Sequence, residues 1–68
     1  MTTIYEKREF QYVILPNTPE NADEIALYVD ATGYFTGIVL VINTENNTID
    51  ETFTTMEEAR NRYREVGA

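Results

Sequence analysis

The longest apolar run of this chain is Tyr34-Phe35-Thr36-Gly37-Ile38-Val39-Leu40-Val41-Ile42. It is too short for a helix to bury and has the length and β-branched content of a buried strand. Successive strand side chains point to opposite faces. Ile38, Leu40 and Ile42 therefore share one side, and Phe35, Val39 and Val41 the other. A strand apolar on both faces needs cover on both, and this chain has 68 residues in which to find it.

That length makes one domain, residues 1–68, of a size at which a single core supplies only about 3–5 kcal/mol of net stability. Disulfides and the usual zinc ligands are unavailable, since Cys and His are both absent. Association is then the stabilising device left open. The amino-terminal residues Met1-Thr2-Thr3-Ile4-Tyr5-Glu6 lack the basic and apolar regions of a signal peptide, and no run approaches the roughly 20 apolar residues that span a bilayer. The expectation is a cytoplasmic protein with no membrane partner.

Charge excludes more than it identifies. Five basic and twelve acidic residues give a net charge of −7. Lys7 and Arg8 stand near the start, Arg60, Arg62 and Arg64 near the end, and the ten acids from Glu9 to Glu58 lie between with no base among them. Such a surface repels phosphate, so direct nucleic-acid binding and adhesion to anionic lipid are disfavoured and a basic protein is attracted. An acidic surface also keeps a small protein soluble, which is the plainer role of the same residues.

Along the chain, residues 9–15 read as a strand that can begin as early as Ile4, with Phe10, Tyr12 and Ile14 on one face and Gln11, Val13 and Leu15 on the other. Pro16 stops it. A polar connector follows. Residues 24–30 then fit two patterns. As a strand, Ile25, Leu27 and Val29 alternate with Ala26 and Tyr28, and Asp30-Ala31-Thr32-Gly33 forms a hairpin loop into the central run, with apolar residues matched on both faces. As a helix over about 19–30, Thr18 caps, Pro19 takes the first position, and Ala22, Ile25, Ala26 and Val29 form the stripe. Register favours the hairpin. A second hairpin turns at Thr44-Glu45-Asn46-Asn47, setting Ile42 opposite Ile49, Val41 opposite Asp50, Val39 opposite Thr52 and Ile38 opposite Phe53.

Thr55-Met56-Glu57-Glu58 has the form of a capping box. Met56, Ala59, Tyr63 and Val66 then make one helical stripe, and Gly67 ends it. Residues 51–63 resemble the strand-to-helix junction of three-strand-plus-helix DNA-binding modules. The sheet lacks the basic residues with which such modules touch DNA, and neither that family nor its function is assigned.

The expected fold is α+β: a four-stranded antiparallel β-meander followed by one C-terminal α-helix, with β-α-β-β-α as the alternative. The helix is expected on the face of Ile25, Leu27, Val29, Ile38, Leu40, Ile42, Ile49 and Phe53. A helix is about 10–12 Å across and four strands about 4.8 Å apart span roughly 14 Å, so one helix covers one face only. Tyr28, Phe35, Val39 and Val41 are left as a self-association face, and a homodimer is expected.

Catalysis would rest on carboxylates, tyrosines, threonines or one lysine, since Cys, Ser and His are all absent. The adjacent acids Asp23-Glu24 and Asp50-Glu51 do not suit a shared proton, and Glu57-Glu58 is accounted for by the cap. No enzyme activity, cofactor or metal is expected. The function expected is a non-catalytic acidic module or inhibitor that engages a basic site on a partner protein through Glu20, Asp23, Glu24, Asp30, Glu45, Asp50 and Glu51. Its carboxylates can stand in for the phosphates of a nucleic acid, a character shared with small viral antagonists of host defence. The alternative is a self-associating accessory subunit.

Overall fold

Residues 39–42 of the central run form a strand, and the expected strands at residues 9–15 and 48–53 are both present beside it, whereas residues 24–29 are not a strand. A computed structural model describes residues 3–29 and 38–66. Its elements in order are β1 (Ile4–Lys7), β2 (Phe10–Pro16), a 3-10 turn (Pro19–Asn21), α1 (Ala22–Ala26), β3 (Val39–Asn43), β4 (Thr48–Phe53), α2 (Met56–Arg62) and β5 (Arg64–Glu65). The fold is α+β, an antiparallel sheet in the order β4-β3-β2-β1-β5 with α2 packed on it. Among the described residues, no helix is long and apolar enough to cross a membrane.

Strands β1 to β4 form a meander, but its first hairpin comes from the amino-terminal residues. Lys7 pairs with Phe10 and Ile4 with Val13, which leaves Arg8 and Glu9 as a two-residue turn. Arg8 takes φ 61° there. Left-handed backbone costs a non-glycine residue about 1–2 kcal/mol, and the absence of the usual glycine is why the turn is not visible in the sequence. The next turn shows its signal plainly: Asn47 takes φ 56°, a conformation its short polar side chain tolerates, and its N–H donates to the Asn43 carbonyl at 2.8 Å.

The segment expected to pair with the central strand is helical instead. Pro19 opens the 3-10 turn and α1 follows, with Ile25 buried against Leu40 and Ile42 and with Leu15, Tyr28, Val29 and Ile38 around them. Both readings of residues 24–30 place Ile25 inwards. What decides between them is β2, which pairs with β3 through five residue pairs, from Tyr12↔Asn43 to Pro16↔Val39, and so occupies the edge that a 25–29 strand would need. The expected loop at residues 30–33 and the start of the central run, residues 34–37, lie outside the described residues.

The C-terminal helix sits on the face opposite to the expected one. Ala59 and Tyr63 are buried against Tyr5, Tyr12, Ile14, Val39 and Val41, with Phe53 and Met56 packed beside them. The cause is a β-bulge in β4. Ile42 faces Ile49 as expected, but Val41 then faces Glu51, Leu40 faces Thr52 and Val39 faces Phe53, with Asp50 left unopposed. One extra residue moves every later side chain to the other face, so Phe53 and the helix that follows it arrive on the Val39 and Val41 side.

Helix α2 is also shorter than its stripe implies. Tyr63 is already extended, at φ −127° and ψ 136°. Beyond it, Arg64 and Glu65 pair with Glu6 and Tyr5, and the Val66 N–H donates to the Ile4 carbonyl at 2.8 Å. The open edge of β1 offers main-chain partners that a continued helix would leave in water, which turns the chain away before Gly67.

Candidate functional site

The seven acids expected on one surface fall into two groups at different parts of the sheet. Glu20 lies in the 3-10 turn, Asp23 and Glu24 in α1, beyond the Pro16 end of β2. Glu45 lies in the β3–β4 turn, Asp50 and Glu51 on β4. Asp30 is outside the described residues.

The second group is the more highly organised, and Asn43 builds it. This residue is 1% exposed at the end of β3. Its Oδ1 accepts from the N–H groups of Glu45 at 2.9 Å and Asn46 at 3.1 Å, fixing the turn, while Nδ2 donates to Asp50 Oδ2 at 3.1 Å. The Thr48 hydroxyl donates to the other oxygen, Asp50 Oδ1, at 2.7 Å. Donation by Thr48, with further help from Asn43 and Tyr12 and against a smaller desolvation effect, holds the Asp50 carboxyl below the usual carboxylate range. These bonds clamp the bulge, so the charge at Asp50 and the register of β4 are set by one arrangement.

Glu51 is half-buried beside it and points towards α2. The Tyr63 phenol donates to Glu51 Oε1 at 2.7 Å. Burial first, then the bond to Glu51, pushes the Tyr63 phenol far above its ordinary pKa. The ring meets Tyr12 edge-on at 4.8 Å and Phe53 edge-on at 6.3 Å, and Lys7 Nζ lies 4.8 Å from its centroid. Tyr12 is raised too, chiefly by burial and then by the charge of Asp50. Every fully buried side-chain nitrogen and oxygen of this cluster has a hydrogen-bond partner, as an anchored, rigid surface requires.

Glu24 of the first group lines a cleft of about 300 Å³ together with Arg60, Tyr5, Ile14, Leu15 and Met56. That is the lower end of the range for small-molecule sites. Among the described residues, no three acidic side chains come together as a metal site.

The described residues of the expected self-association face, Tyr28, Val39 and Val41, do not share one surface. Val39 and Val41 are 4% and 0% exposed beneath α2, while Tyr28 packs with the Leu40 and Ile42 cluster on the other side. Phe35 lies outside the described residues. Within the chain, α2 covers Val39 and Val41, and Ile25 of α1 packs on Leu40 and Ile42.

Sequence reasoning missed Asn43, Tyr12 and Tyr63 as organisers of the acidic strand. A polar residue directly after the run Ile38 to Ile42, seven positions before an aspartate in a hairpin, is the one signal that pointed to Asn43. Compared with known proteins, the chain matches no family model, no curated protein and no solved structure.

Proposed function

We propose that the protein is a non-catalytic binding module that engages a basic surface of a partner protein through β4, the β3–β4 turn and the first turn of α2. The observation that carries this reading is the separation of charge. Glu45, Asp50, Glu51, Glu57 and Glu58 follow one another in sequence with no base between them, from the β3–β4 turn through β4 to the first turn of α2. Of the five bases, Lys7, Arg8 and Arg64 belong to β1, its turn and β5, at the other end of the strand order, although Lys7 reaches across to the Tyr63 ring, and Arg60 and Arg62 stand in the last turn of α2, beyond the acids of its first turn. Solubility needs only net charge, whereas a one-sided distribution steers a partner of opposite sign.

The clamped carboxylate of Asp50 adds to this support, because a group already ordered loses little freedom on binding. A partner whose basic site holds nucleic acid fits the same charge, and the module then competes with that nucleic acid. The test compares two variants with the parent in the capture of basic proteins from a lysate at low and physiological salt. One carries Glu20→Gln, Asp23→Asn and Glu24→Gln; the other carries Glu45→Gln, Asp50→Asn and Glu51→Gln. The second is expected to lose capture and the first to keep it, with binding to the parent weakened by salt. Equal capture by all three proteins sinks the reading.

A further inference from the structure

The free edge of β4 extends this reading, on which it rests, from a charged surface to a mode of binding. We propose that β4 receives an extended, lysine- or arginine-bearing segment of another protein as an added strand. In the order β4-β3-β2-β1-β5, β4 is outermost, bonded to β3 on one side and, among the described residues, to no strand on the other. Alternate residues of such a strand present both N–H and C=O outwards, which is a template for another chain. Four of its six residues, Thr48, Ile49, Asp50 and Thr52, are exposed, and Ile49 at 39% exposure supplies an apolar contact.

Charge selects the occupant. Two β4 edges paired antiparallel over their full length would set Asp50 of each copy opposite Glu51 of the other, and like charges opposite one another destabilise a sheet. The far edge of a second copy offers no net attraction either: Lys7, Arg8 and Arg64 stand there among Glu6, Glu9 and Glu65, and Arg64 is already paired with Glu6. Each whole molecule carries −7. A foreign basic segment meets none of these penalties, and its alternate side chains reach the Asp50 and Glu51 region while its backbone completes the ladder. The bulge at Asp50 interrupts that ladder, so main-chain bonds and charge have to act together.

The test uses the intact protein and three blocked seven-residue peptides: alternating Lys and Val, alternating Lys and Pro, and alternating Glu and Val. The Lys-Pro peptide keeps the charge and cannot pair as a strand. Binding by titration is expected to favour Lys-Val over each of the others by about tenfold or more, equivalent to about 1.4 kcal/mol. It should weaken with salt, and hydrogen exchange at alternate amides of Thr48–Phe53 should slow. Equal binding of Lys-Val and Lys-Pro would overturn strand addition and leave the charge reading standing. Equal binding of Lys-Val and Glu-Val would overturn the basic occupant, as would edge protection that appears with protein concentration alone. Failure of all three peptides to bind also overturns the proposal, while the lysate experiment judges the broader reading separately.

Discussion

Tyr63 is where the helix, the sheet and the acidic strand meet. Its ring packs on Tyr12 and Phe53 and its hydroxyl donates to Glu51. Tyr63→Phe keeps the ring and removes the donor, leaving a half-buried carboxylate short of a partner. The expected cost is about 1–3 kcal/mol, read from chemical denaturation; a loss below about 0.5 kcal/mol would show that water replaces the phenol without penalty. The same phenol, with Tyr12, gives the fold an alkaline limit. Both are raised above the ordinary tyrosine value, so their contribution is complete below about pH 10, where unfolded tyrosines stay protonated. Above that pH the unfolded chain loses protons that the folded chain keeps, and stability should fall by about 1.4 kcal/mol per pH unit for each such tyrosine until its folded-state value is reached. A pH series of melts should show a shallower alkaline fall in Tyr63→Phe than in the parent. Neither role was legible in the sequence, where Tyr63 reads as one position of a helical stripe. The residue does point into the core as that stripe requires; what its spacing could not reveal is that the backbone has already left the helix.

At the scale of elements, the beginning of α2 was legible and its end was not. The start of α2 depends on residues adjacent in sequence: the Thr55 hydroxyl accepts from the Glu58 N–H at 3.2 Å, as the capping pattern implies. Thr55→Ala should cost about 0.5–2 kcal/mol. Thr55→Ser, which retains the acceptor, should recover most of that loss in a thermal melt; equal melting of parent, Ala and Ser variants would remove the cap from the account of stability. The end of α2 depends on β1, nearly sixty residues earlier, whose unpaired edge draws Arg64 and Glu65 into a strand. The bulge in β4 is likewise set by Asn43 and Thr48 holding Asp50, and a pairing count that assumes regular register places Phe53 on the wrong face. Residues 24–30 could satisfy either period because the segment is too short for alternation and helical spacing to diverge. Pro19 at the head of the 3-10 turn was the local signal for the helix, but the register count outweighed it, because the sequence did not show that β2 takes the edge of β3.

For the whole molecule, the central question is what covers the second face of the sheet. Two apolar faces and one long helix suggest a partner copy, but the structure places Ile25 of α1, at 1% exposure, against Leu40 and Ile42. This five-residue helix has little stability of its own, so its place depends on that contact. Ile25→Ala removes most of the buried side chain and leaves a cavity, with an expected cost of about 2–5 kcal/mol. In a domain this small that loss approaches the entire stability, and the variant should be largely unfolded or should melt far below the parent. The conservative Ile25→Val should lose only about 0.5–1.5 kcal/mol and remain folded, which keeps the comparison measurable if the alanine variant does not fold. Concentration separates the two accounts of cover. If α1 protects the face within one chain, the melting temperatures of the parent and of Ile25→Val do not change with protein concentration. A dimer that buries the same face makes both rise with concentration, because folding is then linked to association. A concentration-dependent melt with no effect of Ile25→Ala would assign that face to a partner copy; a concentration-independent melt with the full alanine penalty assigns its cover to α1.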